Sequence, residues 1–345
     1  MDLTKIIKKN GQGRSVFNFD HVFMSDIHWG THAARAKALC RVLPNIETNH
    51  MTLVGDIVDG WHMSQKKSWN LGAYHRQGMA HILRMQANKI YIPGNHEENL
   101  RGTIKSFPQH DDKEMMYRKL TDSQLFDIKV MHDMDYTDPN GKHYFVCHGD
   151  EFDPKLYAKN DGFWYHFGDK AISAFAHIDH RVNEGLNLEE FSSCARLKAV
   201  FKLISERVTG VKERASTFVK SNGYDGLIYG HSHISGFDKT SGIELINDGC
   251  GTDGAPEFLV VANDGEKAIL KWHKDYLRIM REDNSVTHTP WAALDMNGYG
   301  DFNPPIIEDV HTQNVDRLSR IMYRMWPGQD RVKGDPIPIA HPAHG

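Results

Sequence analysis

Five short polar clusters hold the residues of this chain whose types and spacing can do chemistry. In chain order they are Ser25-Asp-Ile-His28, Gly55-Asp-Ile-Val-Asp-Gly60, Gly94-Asn-His-Glu97, His148-Gly-Asp150 and Gly230-His-Ser-His233. The metal-ligand donors that they offer belong to Asp26, His28, Asp56, Asn95, His148, His231 and His233. Mixed oxygen and nitrogen donors suit Mn, Fe, Zn, Co or Ni better than Ca or an all-oxygen Mg site. The sequence therefore predicts two bound divalent metal ions. Mn is the expected metal, with Fe, Zn, Co or Ni as the alternatives.

The spacing inside the clusters favours shared ligation. Asp26 and His28 stand two residues apart, as do His231 and His233, so on an extended segment both members of each pair lie on one face. Asp56, in the middle of the site, can bridge two cations. Two ions about 3.5–4 Å apart can hold a phosphoryl group and provide hydroxide near neutral pH. Because the chain has 22 histidines, and a single Asp or Asn is also typical of a turn, only the ordered combination favours a metal site.

Short apolar runs precede most of the clusters and predict the elements that position them. They are Val22-Phe-Met24, Met51-Thr-Leu-Val54, Ile90-Tyr-Ile92, Tyr144-Phe-Val-Cys147 and Leu227-Ile-Tyr229. Helical spacing over 32–46 and 72–87 separates the first three. This alternation predicts an α/β fold, in which ligands bind at the carboxyl ends of the strands.

The composition divides the chain into three zones. Residues 1–14 are polar and predict a flexible N-terminal arm. Residues 15–289 form the main domain, in which strand signals disappear over about 152–222 and helical signals dominate. That helical insertion either closes the core or caps the substrate pocket. Residues 290–345 hold seven of the 13 prolines and predict an extended tail, with one helix-like piece over Val315–Met325.

Bulk properties limit the function classes. The formal net charge of −4 argues against a broad surface for nucleic acid and leaves room only for a local basic groove. No apolar run reaches the ~18 residues of a spanning helix, and the N-terminus lacks the apolar segment of a secretory signal. The four cysteines are far apart without paired spacing, which favours reduced thiols and a cytoplasmic protein.

The five clusters together resemble the signature of the calcineurin-like metallophosphoesterase superfamily, over about residues 20–275. Within it, Gly55-Asp-Ile-Val-Asp-Gly-Trp61, His148-Gly-Asp-Glu-Phe-Asp153 and the helical insertion resemble the branch of UDP-2,3-diacylglucosamine diphosphatases. The resemblance implies a four-layer α/β/β/α sandwich and hydrolysis of a phosphoester or pyrophosphate bond by a metal-bridging hydroxide. It implies one metal held by Asp26, His28, Asp56 and His233, and the other held by Asp56, Asn95, His148 and His231.

His96 and Asp59 are the candidate catalytic residues. His96 follows Asn95 directly and is not needed as a ligand, so it is placed to protonate the leaving oxygen. Asp59 lies in a motif that resembles the phosphoprotein phosphatase pattern, in which this Asp pairs with the motif His. The alternative is that Asp59 caps a turn and His96 only lines the pocket. Enzymes of the diphosphatase branch typically carry Arg where this chain has His96, which leaves the substrate open.

The sequence is compatible with three functions. The first is a metal-dependent phosphoesterase or diphosphatase that acts on a small-molecule or lipid-linked phosphate. The second is a nuclease or nucleotide phosphodiesterase on the same scaffold. Its local basic strip would comprise Lys66, Lys67, Lys198, Lys202, Lys212, Arg214 and Lys220. The third is a non-catalytic partner-binding scaffold. In each case the C-terminal tail is a candidate surface for homo-oligomer formation.

Overall fold

The structure is a computed structural model, which describes residues 1–65, 71–97, 100, 127–153, 210–239, 242–252, 254–294, 296, 304 and 306–325. Its first sheet has a parallel half, in which neighbouring strands run in the same direction. The strands of that half are β2 (Ser15–Met24), β3 (Ile46–Val54), β4 (Asn88–Ile92) and β5 (Ile128–Val130). The helices of this part of the chain are α2 (Ala36–Val42), α3 (Gly60–Gln65) and α4 (Ala73–Arg84).

The other half of the first sheet is antiparallel and comes from the end of the chain. Its strands are β11 (Glu257–Val261), β12 (Lys267–Trp272), β13 (Tyr276–Arg281) and β14 (Val286–Pro290). Strand β11 pairs antiparallel with β2, so the strand order among the described residues is β14-β13-β12-β11-β2-β3-β4-β5. The first sheet thus joins chain segments from both ends of the predicted main domain around β2.

The second sheet has five strands in the order β6-β7-β8-β10-β9. Its strands are β6 (Met134–Thr137), β7 (His143–Val146), β8 (Gly226–Tyr229), β9 (Gly236–Asp238) and β10 (Glu244–Asn247). The three central strands are parallel, and β6 and β9 are antiparallel edges. Helix α5 (Val211–Ser221) precedes β8 in the chain. The carboxyl ends of β7 and β8 therefore point the same way, which brings the residues that follow them together.

Three apolar clusters hold the layers together. Phe23 and Leu259 of the first sheet pack with Tyr144 and Ile246 of the second. On the outer face of the first sheet, residues of α2 and α4 pack against the strands, among them Leu39 and Ile82. On the outer face of the second sheet, Ala215 and Val219 of α5 pack with Leu227 and Leu245. Each large apolar side chain buried in this way contributes about 1.5–3 kcal/mol. The predicted α/β fold is confirmed.

The N-terminal residues differ from the flexible arm that the sequence predicts. They form a helical turn, α1 (Leu3–Ile6), and a short strand, β1 (Ile7–Lys9). Strand β1 pairs antiparallel with the start of β2, and Ile6 is only 2% exposed. The polar composition of the arm concealed two buried apolar side chains, Met1 and Ile6, which belong to the core. These side chains and the pairing of β1 with β2 hold the segment in place.

The chain after residue 290 packs on the body where it is described. Trp291 stacks on Trp272 of β12, with ring centroids 5.9 Å apart. Helix α6 (Val310–Met325) lies against α4. It begins five residues earlier than the predicted piece. Of the predicted insertion, only residues 152, 153 and 210–222 are described; the rest of it, and residues 326–345, lie outside the described part of the chain. Among the helices of the described residues, none combines the length and the hydrophobicity that a membrane span requires.

Candidate metal centre

The predicted ligands lie in the loops that follow the strands, and backbone hydrogen bonds connect these loops. The N–H of Asp26 donates to the carbonyl of Gly55 at 3.0 Å, and the N–H of His28 donates to the carbonyl of Asp56 at 2.9 Å. Across the second sheet, the N–H of Gly230 donates to the carbonyl of His148 at 2.9 Å. The loops of adjacent strands are therefore held in a fixed register beyond the ends of the sheets.

Five predicted ligands have left-handed backbone conformations. Their φ angles lie between 50° and 61°, and they are Asp26, His28, Asp56, His231 and His233. The sequence predicted that each Asp-x-His or His-x-His pair lies on an extended segment, and this local prediction is wrong. A left-handed conformation costs a residue other than glycine roughly 1–3 kcal/mol and persists only where the surroundings impose it. The concentration of this strain at the ligand positions indicates a functional constraint.

One group of ligand atoms forms around Asp26. Its Oδ1 lies 2.9 Å from Nε2 of His233 and 3.9 Å from Nε2 of His28. Its Oδ2 accepts hydrogen bonds from the Ser25 hydroxyl at 2.6 Å and from the N–H of His231 at 2.8 Å. These two hydrogen bonds fix the carboxylate so that Oδ1 faces the two imidazoles.

A second group forms around Asp56, whose Oδ2 lies 3.3 Å from Nε2 of His148 and 3.8 Å from Nε2 of His28. The Nδ1 of His148 lies 2.8 Å from the carbonyl oxygen of Val54. A ring that donates from Nδ1 keeps the lone pair of Nε2 for a metal, as is usual for ligating histidines. Burial opposes ionisation of Asp56, but the imidazoles of His148 and His96 hold its pKa well below the usual range.

Asn95 and His231 complete the predicted set. The amide of Asn95 is 6% exposed, and neither its oxygen nor its nitrogen has a hydrogen-bond partner among the described residues. The ring of His231 lies 5.3 Å from the ring of His148, measured between centroids. Its Nε2 lies 3.5 Å from a carboxylate oxygen of Asp153. The ring of His231 therefore lies beside the Asp56 group, and Asn95 directly precedes His96, whose N–H donates to Oδ1 of Asp56 at 2.9 Å.

The donor set fits divalent metal ions. Asp26, His28 and His233 offer ligand atoms within 4.8 Å of one another, as do Asp26, Asp56 and His148. Ligands that bind one ion at about 2.0–2.2 Å have separations of this order. Burying carboxylates and an unpartnered amide is costly unless they are paired or coordinate a metal. The same search also groups His96 with His28 and Asp56, so His96 is close enough to act as a ligand.

Asp59 lies between two imidazoles. One of its oxygens is 3.0 Å from Nδ1 of His96, and the other is 3.1 Å from Nδ1 of His28. Burial lowers the pKa of His96, but the carboxylates of Asp56 and Asp59 outweigh it and raise this pKa to about 9. The ring of Trp61 covers His96, with centroids 4.3 Å apart. The structure thus brings the predicted pair together and adds a contact to His28 that the sequence did not predict.

The sequence did not predict a role for Glu97. It is fully buried and accepts hydrogen bonds from the backbone N–H groups of Asp56, Val58 and Gly94, each at 2.8 Å. It therefore ties the loop after β3 to the loop after β4. Burial, and then the charge of Asp56, raise its pKa to about 7. The signal was its place in Gly94-Asn-His-Glu97, but its partners are backbone groups, which sequence does not reveal.

The chain belongs to the calcineurin-like phosphoesterase family, because the model of that family matches residues 21–235. No curated protein matches the chain. Among solved structures it is similar to an archaeal phosphodiesterase, with 13% identity over 73% of this chain and 98% of that chain and a TM-score of 0.33. It is also similar to Yfce, a phosphoesterase from E. coli, with 14% identity over 78% of this chain and 98% of that chain and a TM-score of 0.30.

A third similar structure is vacuolar protein sorting 29 from Cryptosporidium parvum, with 12% identity over 79% of this chain and 96% of that chain and a TM-score of 0.33. The match of the family model confirms the predicted superfamily. The branch of UDP-2,3-diacylglucosamine diphosphatases stays a prediction.

Proposed function

We propose that the protein is a dinuclear-metal hydrolase of a phosphoester or pyrophosphate bond. The observation that carries the proposal is the convergence of two buried carboxylates and three imidazole nitrogens at the ends of the strands. Oδ1 of Asp26 and Oδ2 of Asp56 face Nε2 atoms of His233, His28 and His148 at 2.9–3.9 Å. Membership of the family supports the same reaction class.

The residues divide into two metal positions that share Asp56. One position comprises Asp26, His28, Asp56 and His233, and the other comprises Asp56, Asn95, His148 and His231. Two divalent ions, with Mn expected, would supply a hydroxide nucleophile near neutral pH and neutralise charge on the phosphoryl oxygens. Asp56 is held for this shared role from both sides, because its N–H donates to Glu97 and its Oδ1 accepts from the N–H of His96 at 2.9 Å.

His96 is the proposed general acid. Its Nε2 lies 3.8 Å from Oδ2 of Asp56, at the edge of the Asp56 group, while Asp59 faces its other nitrogen. An imidazolium held in this way can give a proton to the leaving oxygen, and the carboxylate of Asp59 keeps the ring oriented for that transfer. Trp61 restricts rotation of the ring from one side.

The proposed substrate is a small-molecule or lipid-linked phosphate, including one like UDP-2,3-diacylglucosamine. The motifs from Gly55 to Trp61 and from His148 to Asp153 support that class. His96, where the branch typically has Arg, supports a substrate whose leaving group needs a proton. A panel of nucleotide diphosphate sugars, phosphomonoesters and single-stranded DNA, assayed with Mn, identifies the preferred class.

The test of the reaction combines metal analysis with Asp56→Asn. We expect two ions per chain in the parent and hydrolysis of a nitrophenyl phosphate ester that depends on Mn. Asp56→Asn removes the shared negative charge and is expected to empty at least one position and to abolish most turnover. Two retained ions with full turnover in Asp56→Asn would show that the ligand assignment is wrong. A parent that binds no metal would show that the proposed function is wrong.

A further inference from the structure

Residues 247–252, which comprise the last residue of β10 and the loop that follows it, contain no predicted metal ligand. They contact the segments that carry three of the predicted ligands, Asp26, His231 and His233. Residues 247–252 are buried, since Asn247, Asp248 and Thr252 are 2%, 0% and 3% exposed. Buried polar residues need partners, because an unsatisfied polar group costs about 1–3 kcal/mol. The partners of this loop are groups of the Asp26 and His233 segments.

Asn247 connects the loop to the residues that flank His231. Its amide nitrogen donates to the carbonyl of Gly230 at 2.6 Å and to the hydroxyl of Ser232 at 3.1 Å. Its amide oxygen accepts from the N–H of Gly249 at 3.1 Å. The Gly230–His233 segment is therefore fixed against the end of β10.

Asp248 and Gly251 connect the loop to Asp26. The hydroxyl of Ser25 lies 2.6 Å from Oδ1 of Asp248 and 2.6 Å from Oδ2 of Asp26. The N–H of Gly251 donates to the carbonyl of Asp26 at 3.1 Å. The loop therefore fixes both the backbone and the side chain of Asp26, and only Oδ1 of that carboxylate is left directed at His233.

Thr252 faces the ring of His233. Its hydroxyl oxygen lies 3.3 Å from Nδ1 of His233, whose Nε2 lies 2.9 Å from Oδ1 of Asp26. Arg35 fixes the backbone of Thr252, because its guanidinium donates to the carbonyl of Thr252 at 3.1 Å. A hydroxyl that accepts from Nδ1–H leaves the lone pair of Nε2 on the side of Asp26, where a metal ligand needs it.

We propose that Thr252 is a positioning residue that selects the ring tautomer of His233 and so sets the metal affinity of the Asp26–His28–His233 position. The inference rests on the proposed dinuclear function and deepens it, because it assigns control of one position to a residue outside the ligand set. The ring of His148, at the other position, is held by the carbonyl of Val54 instead. The two positions therefore have separate supports, and Thr252 acts on one of them.

The test compares Thr252→Val, which keeps the shape and removes the hydroxyl, with Thr252→Ser, which keeps the hydroxyl. Mn²⁺ binding to the metal-free full-length protein is followed by titration calorimetry with a competing chelator. We expect Thr252→Val to weaken one of two sites by about 10–100-fold, the usual effect of losing such a partner. Thr252→Ser is expected to bind like the parent. If Thr252→Val does not fold, Thr252→Ala, which adds no bulk, is measured in its place.

Two further variants, Asn95→Ala and His233→Ala, show which of the two metal positions Thr252 affects. In Asn95→Ala, which weakens the other position, Thr252→Val is expected to weaken the remaining site by the same factor. In His233→Ala, Thr252→Val is expected to have no further effect, because coupled residues are not additive. Unchanged affinities in Thr252→Val, or equal weakening of both sites, would overturn the inference. A parent that binds no Mn²⁺ would instead overturn the proposed function.

Discussion

At the scale of single residues, Asp59 connects a predicted metal ligand, His28, to the proposed acid, His96. Its two oxygens contact Nδ1 of His28 and Nδ1 of His96 at 3.1 and 3.0 Å. Burial opposes its ionisation, but these two imidazoles hold the pKa of Asp59 far below the usual range. A charged Asp59 orients both rings, so we expect its removal to affect both metal binding and proton transfer.

His96→Ala separates the role of acid from the role of ligand. We expect the variant to keep both metal ions and to lose roughly 10²–10⁴-fold in turnover on substrates with poor leaving groups. Nitrophenyl esters, which leave without a proton, serve as the matched substrate and are expected to lose much less. Loss of a metal ion in His96→Ala would show that this ring is a ligand, which its distance to Asp56 permits.

Asp59→Asn is expected to differ from His96→Ala in metal binding. The amide keeps the shape of the carboxylate but loses the charge that faces both rings. Because His28 loses the partner that orients its Nε2, we expect Mn²⁺ affinity to fall by about 10–100-fold in one site. Titration of the metal-free variant checks this. Parent-like affinity would mean that the backbone of His28 alone positions its ring.

The sequence predicted the residue types of the candidate site, but it did not predict the groups that hold those residues in place. Asp, Asn and His types in a fixed order predict ligands, because metal chemistry restricts which side chains serve. The roles of Glu97 and Thr252 were not predicted, because Glu97 binds backbone N–H groups and Thr252 contacts a predicted ligand, His233, 19 residues away in sequence. Such partners depend on how separate loops meet, which the spacing within a motif does not encode.

At the scale of elements, helix α6 shows what a capping signal adds to a periodic pattern. The apolar spacing predicted a helix from Val315, whereas α6 begins at Val310. Asp309 accepts hydrogen bonds from the N–H groups of His311 and Thr312 at 2.9 and 3.1 Å, and Thr312 accepts from the N–H of Asp309 at 2.8 Å. This reciprocal cap satisfies the first turn, so the helix begins before its apolar face does.

Arg76 anchors this helix to α4, and its replacement tests how firmly α6 is bound. Its guanidinium lies 3.1 Å from Asp316 and 2.5 Å from Glu308. We expect Arg76→Met to lower the free energy of unfolding in urea by about 1 kcal/mol, because both acidic partners are partly exposed. Arg320→Met, on the exposed side of α6, is the control and is expected to change it by less than about 0.5 kcal/mol. Equal effects would indicate that the ion pairs do not hold α6.

At the scale of the whole molecule, the two sheets meet at a buried histidine. His21 of β2 is 4% exposed and stacks on Phe23, with ring centroids 4.0 Å apart. The ring of Tyr136, from the second sheet, lies 4.9 Å away. The Nε2 of His21 lies 2.8 Å from the hydroxyl of Thr52. Short apolar runs predicted the strands, but nothing in the spacing of 22 histidines identified His21 as buried between the sheets.

This histidine is expected to make the packing of the sheets sensitive to acid. Burial, and then the neighbouring His50, lower the pKa of His21 to about 3. The unfolded chain takes up a proton at His21 near pH 6.5, whereas the folded protein does not until about pH 3. The neutral ring of His21 therefore contributes to the free energy of unfolding in full above pH 6.5, and this contribution is lost as the pH falls toward 3. At pH 5 the loss amounts to about 2 kcal/mol.

The double variant His21→Phe with Thr52→Val tests this expectation, because it keeps an aromatic ring in the interface and leaves no polar group without a partner. Urea unfolding is measured between pH 7 and pH 5 for the parent and the variant. Contributions of the metal ligands are common to both proteins and cancel in the difference. We expect the free energy of unfolding of the parent to fall by about 2 kcal/mol more than that of the variant. If the free energies of unfolding of the parent and the variant fall equally with pH, His21 gains its proton in the folded state. The interface between the sheets then admits water at this ring.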